Sequence, residues 1–196
     1  MYKTMMTKNT IQRFPSLLLV SALLLVAFTA TGCDSTEPDD HGAGDEELIT
    51  RIQLTLTAPQ SPQVVAEATD PDGDGANLTI GTLVLKAGVT YSGTIGVFDD
   101  VNGENVGAEI DEEADEHQFF FIPGGQAASR LSIAATDSDS NGLPVGLTFT
   151  LATTPGGAGQ ASLRVILSHF DDDPKDGVSQ SDETDIDVTF PVTIQP

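Results

Sequence analysis

The chain has 196 residues, with 30 Asp and Glu against 8 Lys and Arg, a formal net charge of −22, one cysteine and no tryptophan. So acidic a surface repels nucleic acid and anionic lipid head groups, and it favours cations, cationic partners or salt-rich surroundings. A single cysteine excludes an intrachain disulfide.

The first thirteen residues carry Lys3, Lys8 and Arg13 and no acid, and residues 17–30 form an apolar run. A basic segment followed by a short apolar one is the plan of a secretory signal peptide. A transmembrane anchor is the competing reading, but a bilayer-spanning helix needs roughly 20 apolar residues. The run closes on Ala30-Thr31-Gly32-Cys33. This resembles a bacterial lipobox, although Leu is commoner at the position of Ala30. The resemblance implies cleavage before Cys33, a lipid on Cys33, and attachment to a membrane of the cell envelope, the outer one rather than the inner. Residues 1–32 are thus read as a lipoprotein signal peptide. All 30 acids follow it, against only Arg51, Lys86, Arg130, Arg164 and Lys175. The acidic surface of a salt-adapted organism would by itself account for most of that imbalance.

Residues 33–47 are rich in Asp, Glu, Gly and Pro and show no apolar periodicity, which predicts a flexible tether. His41 lies in it and reads as a solvated linker residue. From Leu48 to the end roughly 150 residues remain, enough for one domain. Ile52, Leu54, Leu56 and Ala58 alternate with polar residues, as do Ile186, Val188, Phe190, Val192 and Ile194. Leu131, Ile133 and Ala135 keep the same period, and so do Leu147, Phe149 and Leu151, and Leu163, Val165 and Leu167. Period two is the mark of a strand with one buried face. Residues 63–69, 82–86 and 91–98 are shorter candidates, and residues 108–116 have room for one or two helical turns. Gly at Ala87-Gly88, Asn141-Gly142, Pro155-Gly156-Gly157 and Asp176-Gly177 marks turns between them. Eight or nine strands at this spacing predict an all-β fold, an antiparallel β-sandwich that is Ig-like in the loose sense. Tyr91 is a candidate corner residue.

Two loops carry oxygen ligands at alternate positions. Asp70-Pro71-Asp72-Gly73-Asp74-Gly75 has acids at positions 1, 3 and 5 and Gly at 6, the first half of an EF-hand-type loop. Position 12 is Gly81 and no helices flank the loop, so it is not an EF-hand. Asp137-Ser138-Asp139-Ser140-Asn141-Gly142 repeats the spacing, again after Ala-Thr. Both are expected calcium loops with Asp70, Asp72, Asp74, Asp137, Asp139 and Asn141 as ligands, the alternative being two plain turns. Asp99-Asp100 and residues 171–173 read as polar hairpin loops.

The centre of the chain, Asp111-Glu112-Glu113-Ala114-Asp115-Glu116-His117-Gln118-Phe119-Phe120-Phe121, runs from an acidic lip straight into a buried strand. If the strand includes Asp115, then Asp115 and His117 share a face, a start for zinc or another transition metal. His169, also at a strand end, is the candidate third ligand. The alternative is a pair of hydrogen-bonded structural histidines. Gly-x-Ser-x-Gly, His-Glu-x-x-His and a P-loop lysine are all missing, which points away from an enzyme.

Several segments resemble a family of uncharacterised exported proteins and lipoproteins from Bacteroidota and related bacteria. They are residues 45–50, 69–75, 112–121, 141–147 and 183–190, with Glu113-Ala114-Asp115-Glu116-His117-Gln118 the most specific. Some members are labelled as having a periplasmic-binding fold, but this chain lacks the alternating helices that such lobes need. The resemblance implies a companion of outer-membrane uptake systems and supplies no catalytic residue. The combined expectation is a non-catalytic, lipid-anchored binding or docking module for a cationic or metal-bearing ligand or an outer-membrane transporter. The alternative is a structural or adhesive envelope protein in which calcium only stiffens loops.

Overall fold

The computed structural model describes residues 48–171 and 174–196; the predicted signal peptide, Cys33 and the acidic tether lie outside them. Among the described residues ten strands make two sheets. They are β1 (Arg51–Thr57), β2 (Val64–Thr69), β3 (Thr79–Ile80), β4 (Leu83–Lys86), β5 (Thr90–Phe98), β6 (His117–Gly124), β7 (Leu131–Ala135), β8 (Thr148–Thr153), β9 (Gly159–His169) and β10 (Glu183–Gln195). One sheet runs β3-β2-β1-β5-β8-β7 and the other β4-β10-β9-β6. The fold is an all-β sandwich, as the alternating residues predict.

The period-two pattern explains the core directly. Ile52, Leu54 and Leu56 of β1 and Phe149 and Leu151 of β8 face Leu163, Val165 and Leu167 of β9 and Val188, Phe190, Val192 and Ile194 of β10, all buried. Each such side chain, fully buried, contributes about 1.5–3 kcal/mol. The end of β9 departs from the one-sided pattern, because Ile166 and Ser168 on its other face are buried too. The chain after β9 packs back over that face, where the amide of Gln118 donates to the Gly177 carbonyl at 3.2 Å.

One pairing departs from the antiparallel expectation. β4 lies parallel to β10, with Leu83 opposite Val192 and Leu85 opposite Ile194. The cause is a change of sheet: Gly81 and Thr82 carry the chain from β3 in one sheet to β4 in the other. The N–H of Gly81 donates to the Glu67 carbonyl at 2.7 Å during that crossing. Beyond β4 the chain turns at Gly88, whose φ of +73° suits glycine. Tyr91 acts as the corner. Its buried hydroxyl accepts from the Lys86 N–H at 2.8 Å, and Thr153 Oγ1 donates to the Lys86 carbonyl at 2.7 Å.

The helical turns form α1, Val106–Glu112. Val106 and Ile110 lie one turn apart and are both buried, which anchors the helix on the sandwich. It stops before the predicted residue 116. Asp111, Glu112 and Glu113 crowd the negative end of the helix and no basic residue is there to offset them.

Candidate metal centre

The end of α1 delivers the chain into β6 at His117, the first residue of the strand. β6 pairs with β9 so that His117 stands opposite His169, on the face that carries Phe119 and Leu167 toward the core. Directly opposed residues on neighbouring strands have their Cβ atoms about 5 Å apart. The two rings accordingly stack, with centroids 4.3 Å apart and planes 22° from parallel. The sequence suggested both histidines, and the fold brings them together.

The third group is not Asp115. That residue is exposed in the turn before β6, so it never shares a strand face with His117, and among the described residues it belongs to no ligand cluster. Asp185 takes its place. In the β9–β10 ladder Glu183 faces His169 and Thr184 faces Ser168, but Leu167 then faces Ile186. Asp185 is the extra residue of a β-bulge, a device that re-aims a side chain. Its carboxylate lies 3.8 Å from His117 Nε2 and 3.7 Å from His169 Nδ1. Among the described residues, ligand atoms of His117, His169 and Asp185 all lie within 4.8 Å of one another.

The tautomers follow from the partners on the far sides of the rings. His117 Nδ1 lies 3.2 Å from the Glu113 carbonyl, which can only accept, so Nδ1 carries the hydrogen. Burial first, and the neighbouring His169 as well, hold the His117 pKa below its ordinary value, and the hydrogen bond to Glu113 opposes this only in part. The neutral ring therefore presents a bare lone pair at Nε2. That atom is fully buried and has no hydrogen-bond partner. His169 Nε2 lies 2.8 Å from a carboxylate oxygen of Asp171, and its Nδ1 faces Asp185 at 3.7 Å. Metal-binding histidines are commonly held this way, with the second ring nitrogen given to a carbonyl or carboxylate. Glu116, His169 and Asp171 form a second cluster on the outer side of His169.

The two acidic loops differ from each other. Asp70, Asp72 and Asp74 gather their oxygens within 4.8 Å. Asp72 is held above its ordinary pKa, first by its approach to the Asp70 carboxyl and also by the nearby Asp74 charge. The second loop shows no such gathering. Asp137 caps the backbone N–H groups of Gly146 and Thr148 at 2.7 and 2.8 Å. Asp139 accepts from Asn141 and Leu143 and pairs with Lys175 Nζ at 3.0 Å, both side chains buried. Burial pushes the Asp139 carboxyl up, but the bonds from Lys175, Leu143 and Asn141 outweigh it and hold the pKa low. Backbone amides and an ammonium group thus occupy the positions that calcium would need. The Asp99-Asp100 turn is also internally satisfied, with Asp100 gripping Arg51 through two bonds at 2.7 and 2.9 Å.

Asp185 had no legible signal. Ile186 and Val188 point inward by alternation, which predicts Asp185 and Asp187 outward together, and only the bulge breaks that parity. No family model, curated protein or solved structure matches this chain, so the centre stands on its own geometry.

Proposed function

We propose that the protein is a non-catalytic, exported binding module, held at the cell envelope by a lipid on Cys33. It captures a divalent transition-metal ion of the zinc class through His117 Nε2, His169 Nδ1 and the Asp185 carboxylate. One observation carries this reading: a ligand atom of each of His117, His169 and Asp185 lies within 4.8 Å of the other two, with the buried Nε2 of His117 unbonded among them. Three protein ligands leave a fourth position open, the arrangement of exchangeable rather than closed structural sites. The basic and apolar leader, the lipobox-like Cys33 and the acidic surface, which concentrates cations, support the envelope setting. An outer-membrane uptake system is the partner that the resemblance to Bacteroidota exported proteins suggests.

A second reading, a structural or adhesive envelope protein, is favoured by the Asp139–Lys175 pair, which stiffens the 137–142 loop with no ion. Calorimetric titration of chelator-treated protein with zinc, followed by X-ray absorption of the complex, separates the two. Capture requires one equivalent bound through two imidazoles, removable by chelator without unfolding. Zinc that leaves only on unfolding supports the structural reading. No binding, or binding unaltered in His169→Ala and Asp185→Asn, defeats the capture proposal.

A further inference from the structure

The 70–75 loop is built unlike an ordinary acidic turn. Asp70 directly follows β2, and its N–H donates to the Thr50 carbonyl at 2.8 Å, which fixes its backbone to the neighbouring strand edge. Its side chain points inward and the residue is only 7% exposed. One carboxylate oxygen, Oδ2, accepts from the Gly75 N–H. The other, Oδ1, is buried with no hydrogen-bond partner. A buried carboxylate oxygen in that state carries the full cost of its lost hydration. The loop then returns two more carboxylates to the same point. Gly73 and Gly75, at φ of +67° and +77°, allow the tight reversal that brings Asp72 and Asp74 back over Asp70. Asp74 spends one oxygen on the Ala76 N–H at 2.8 Å and keeps the other. An oxygen of each of Asp70, Asp72 and Asp74 lies within 4.8 Å of the other two, a separation at which one cation can bridge them.

We propose that Asp70, Asp72 and Asp74 form a calcium site that shares no ligand with the histidine centre, with Asp70 Oδ1 as its buried ligand and water completing the shell. The donor set is all oxygen, which selects a hard cation over the softer ions that imidazole prefers. Calcium rather than magnesium follows from the ligands. Several carboxylates on a glycine-rich loop suit the larger, flexible coordination sphere, whereas magnesium keeps most of its water and binds through one or two carboxylates. Few protein ligands and a solvated outer side place the affinity in the range of extracellular modules, about 10⁻⁴–10⁻³ M. The 137–142 loop, of the same sequence spacing, is the internal control, because Lys175 and backbone amides already satisfy its acids.

The test is a thermal melt of the purified protein in chelator, in calcium and in magnesium, for the natural sequence and for Asp72→Asn. Asp72 is exposed, so the substitution leaves the core intact. Calcium at about 1 mM should raise the midpoint of the natural protein, and equal magnesium should do much less. Asp72→Asn should lose that rise and, by removing one like charge, should melt higher than the natural protein in chelator. This crossing of the two variants is what a merely structural Asp72 would not give. Three results overturn the site: no calcium shift, an equal shift with magnesium, or a calcium shift retained in Asp72→Asn. His169→Ala should keep the calcium response, so failure of the histidine centre would leave this result readable.

Discussion

His117 and His169 face each other across β6 and β9 with their rings stacked, yet only His117 is completely enclosed; the His169 side chain is 20% exposed. Stacked rings send their lone pairs out side by side, whereas an ion bound by both must lie in both ring planes. Coordination therefore requires the stack to open, and the more exposed ring is the one with room to move.

Substituting the two histidines should separate affinity from stability. His169→Ala should abolish the zinc-induced rise in melting temperature while costing little stability in chelator. His117→Ala should lose the rise and also destabilise the metal-free protein by roughly 3 kcal/mol, since it empties a fully buried ring position. Urea midpoints with and without zinc measure both effects. Equal destabilisation by the two substitutions would contradict the asymmetry of burial.

The depressed pKa of His117 predicts an acid-side loss of stability. Its ordinary value is 6.5 and burial lowers it in the folded protein. The unfolded chain therefore takes up a proton first as pH falls below 6.5. Stability is full above that pH and declines below it, until the folded ring also protonates. Denaturation curves across this window should show the decline in the metal-free natural protein and a shallower one in His117→Gln. Identical slopes would mean that His117 does not titrate differently on folding.

Lys175 holds a buried carboxylate and also donates to the Ala114 carbonyl at 2.7 Å, which ties the 174–179 segment to the approach to β6. Lys175→Ala leaves Asp139 without its cation and should cost roughly 3 kcal/mol. The double substitution Lys175→Ala with Asp139→Ala should cost less than the single one, because no lone buried charge remains. A double-mutant cycle by urea denaturation checks this, and additive losses would refute it.

Gly93 lies opposite Phe149 in the β5–β8 ladder, and the Phe149 ring covers the space where a side chain would begin. Gly93→Ala should push that ring out of its contact with Phe121, whose centroid is 4.6 Å away. A loss of about 1–3 kcal/mol is expected, as for other over-packed cores, read from the thermal midpoint. A neutral result would show that the ring yields without strain.

The sandwich was legible because a single rule governs most of it. Alternation in 51–57, 163–167 and 186–194 fixes which side chains are buried, and burial fixes the faces of both sheets. The parallel β4–β10 pair was not legible, since two residues between β3 and β4 look the same whether the chain turns back or changes sheet. At the candidate centre, His117 and His169 were readable as strand-end residues, but their register was not, because pairing depends on strands 52 positions apart. Asp115 misled through the assumption that β6 began two residues earlier, before the acidic end of α1 had been passed. Likewise, the twin loops share a spacing, and what distinguishes them, Lys175 and the backbone amides that satisfy Asp137 and Asp139, is set by the fold.

The bulge in β10 implies that scaffold and chemistry are separately encoded. Strand register is written in the repeated apolar residues, while the proposed third ligand is written in one residue that is out of step with them. Deleting Asp185 would let Thr184 and Ile186 follow each other in an uninterrupted ladder opposite Ser168 and Leu167. The deletion should therefore yield a protein that folds as before and is silent toward zinc. By the same reasoning, the proposed capture of an ion hinges on one residue that the strand pattern itself does not require.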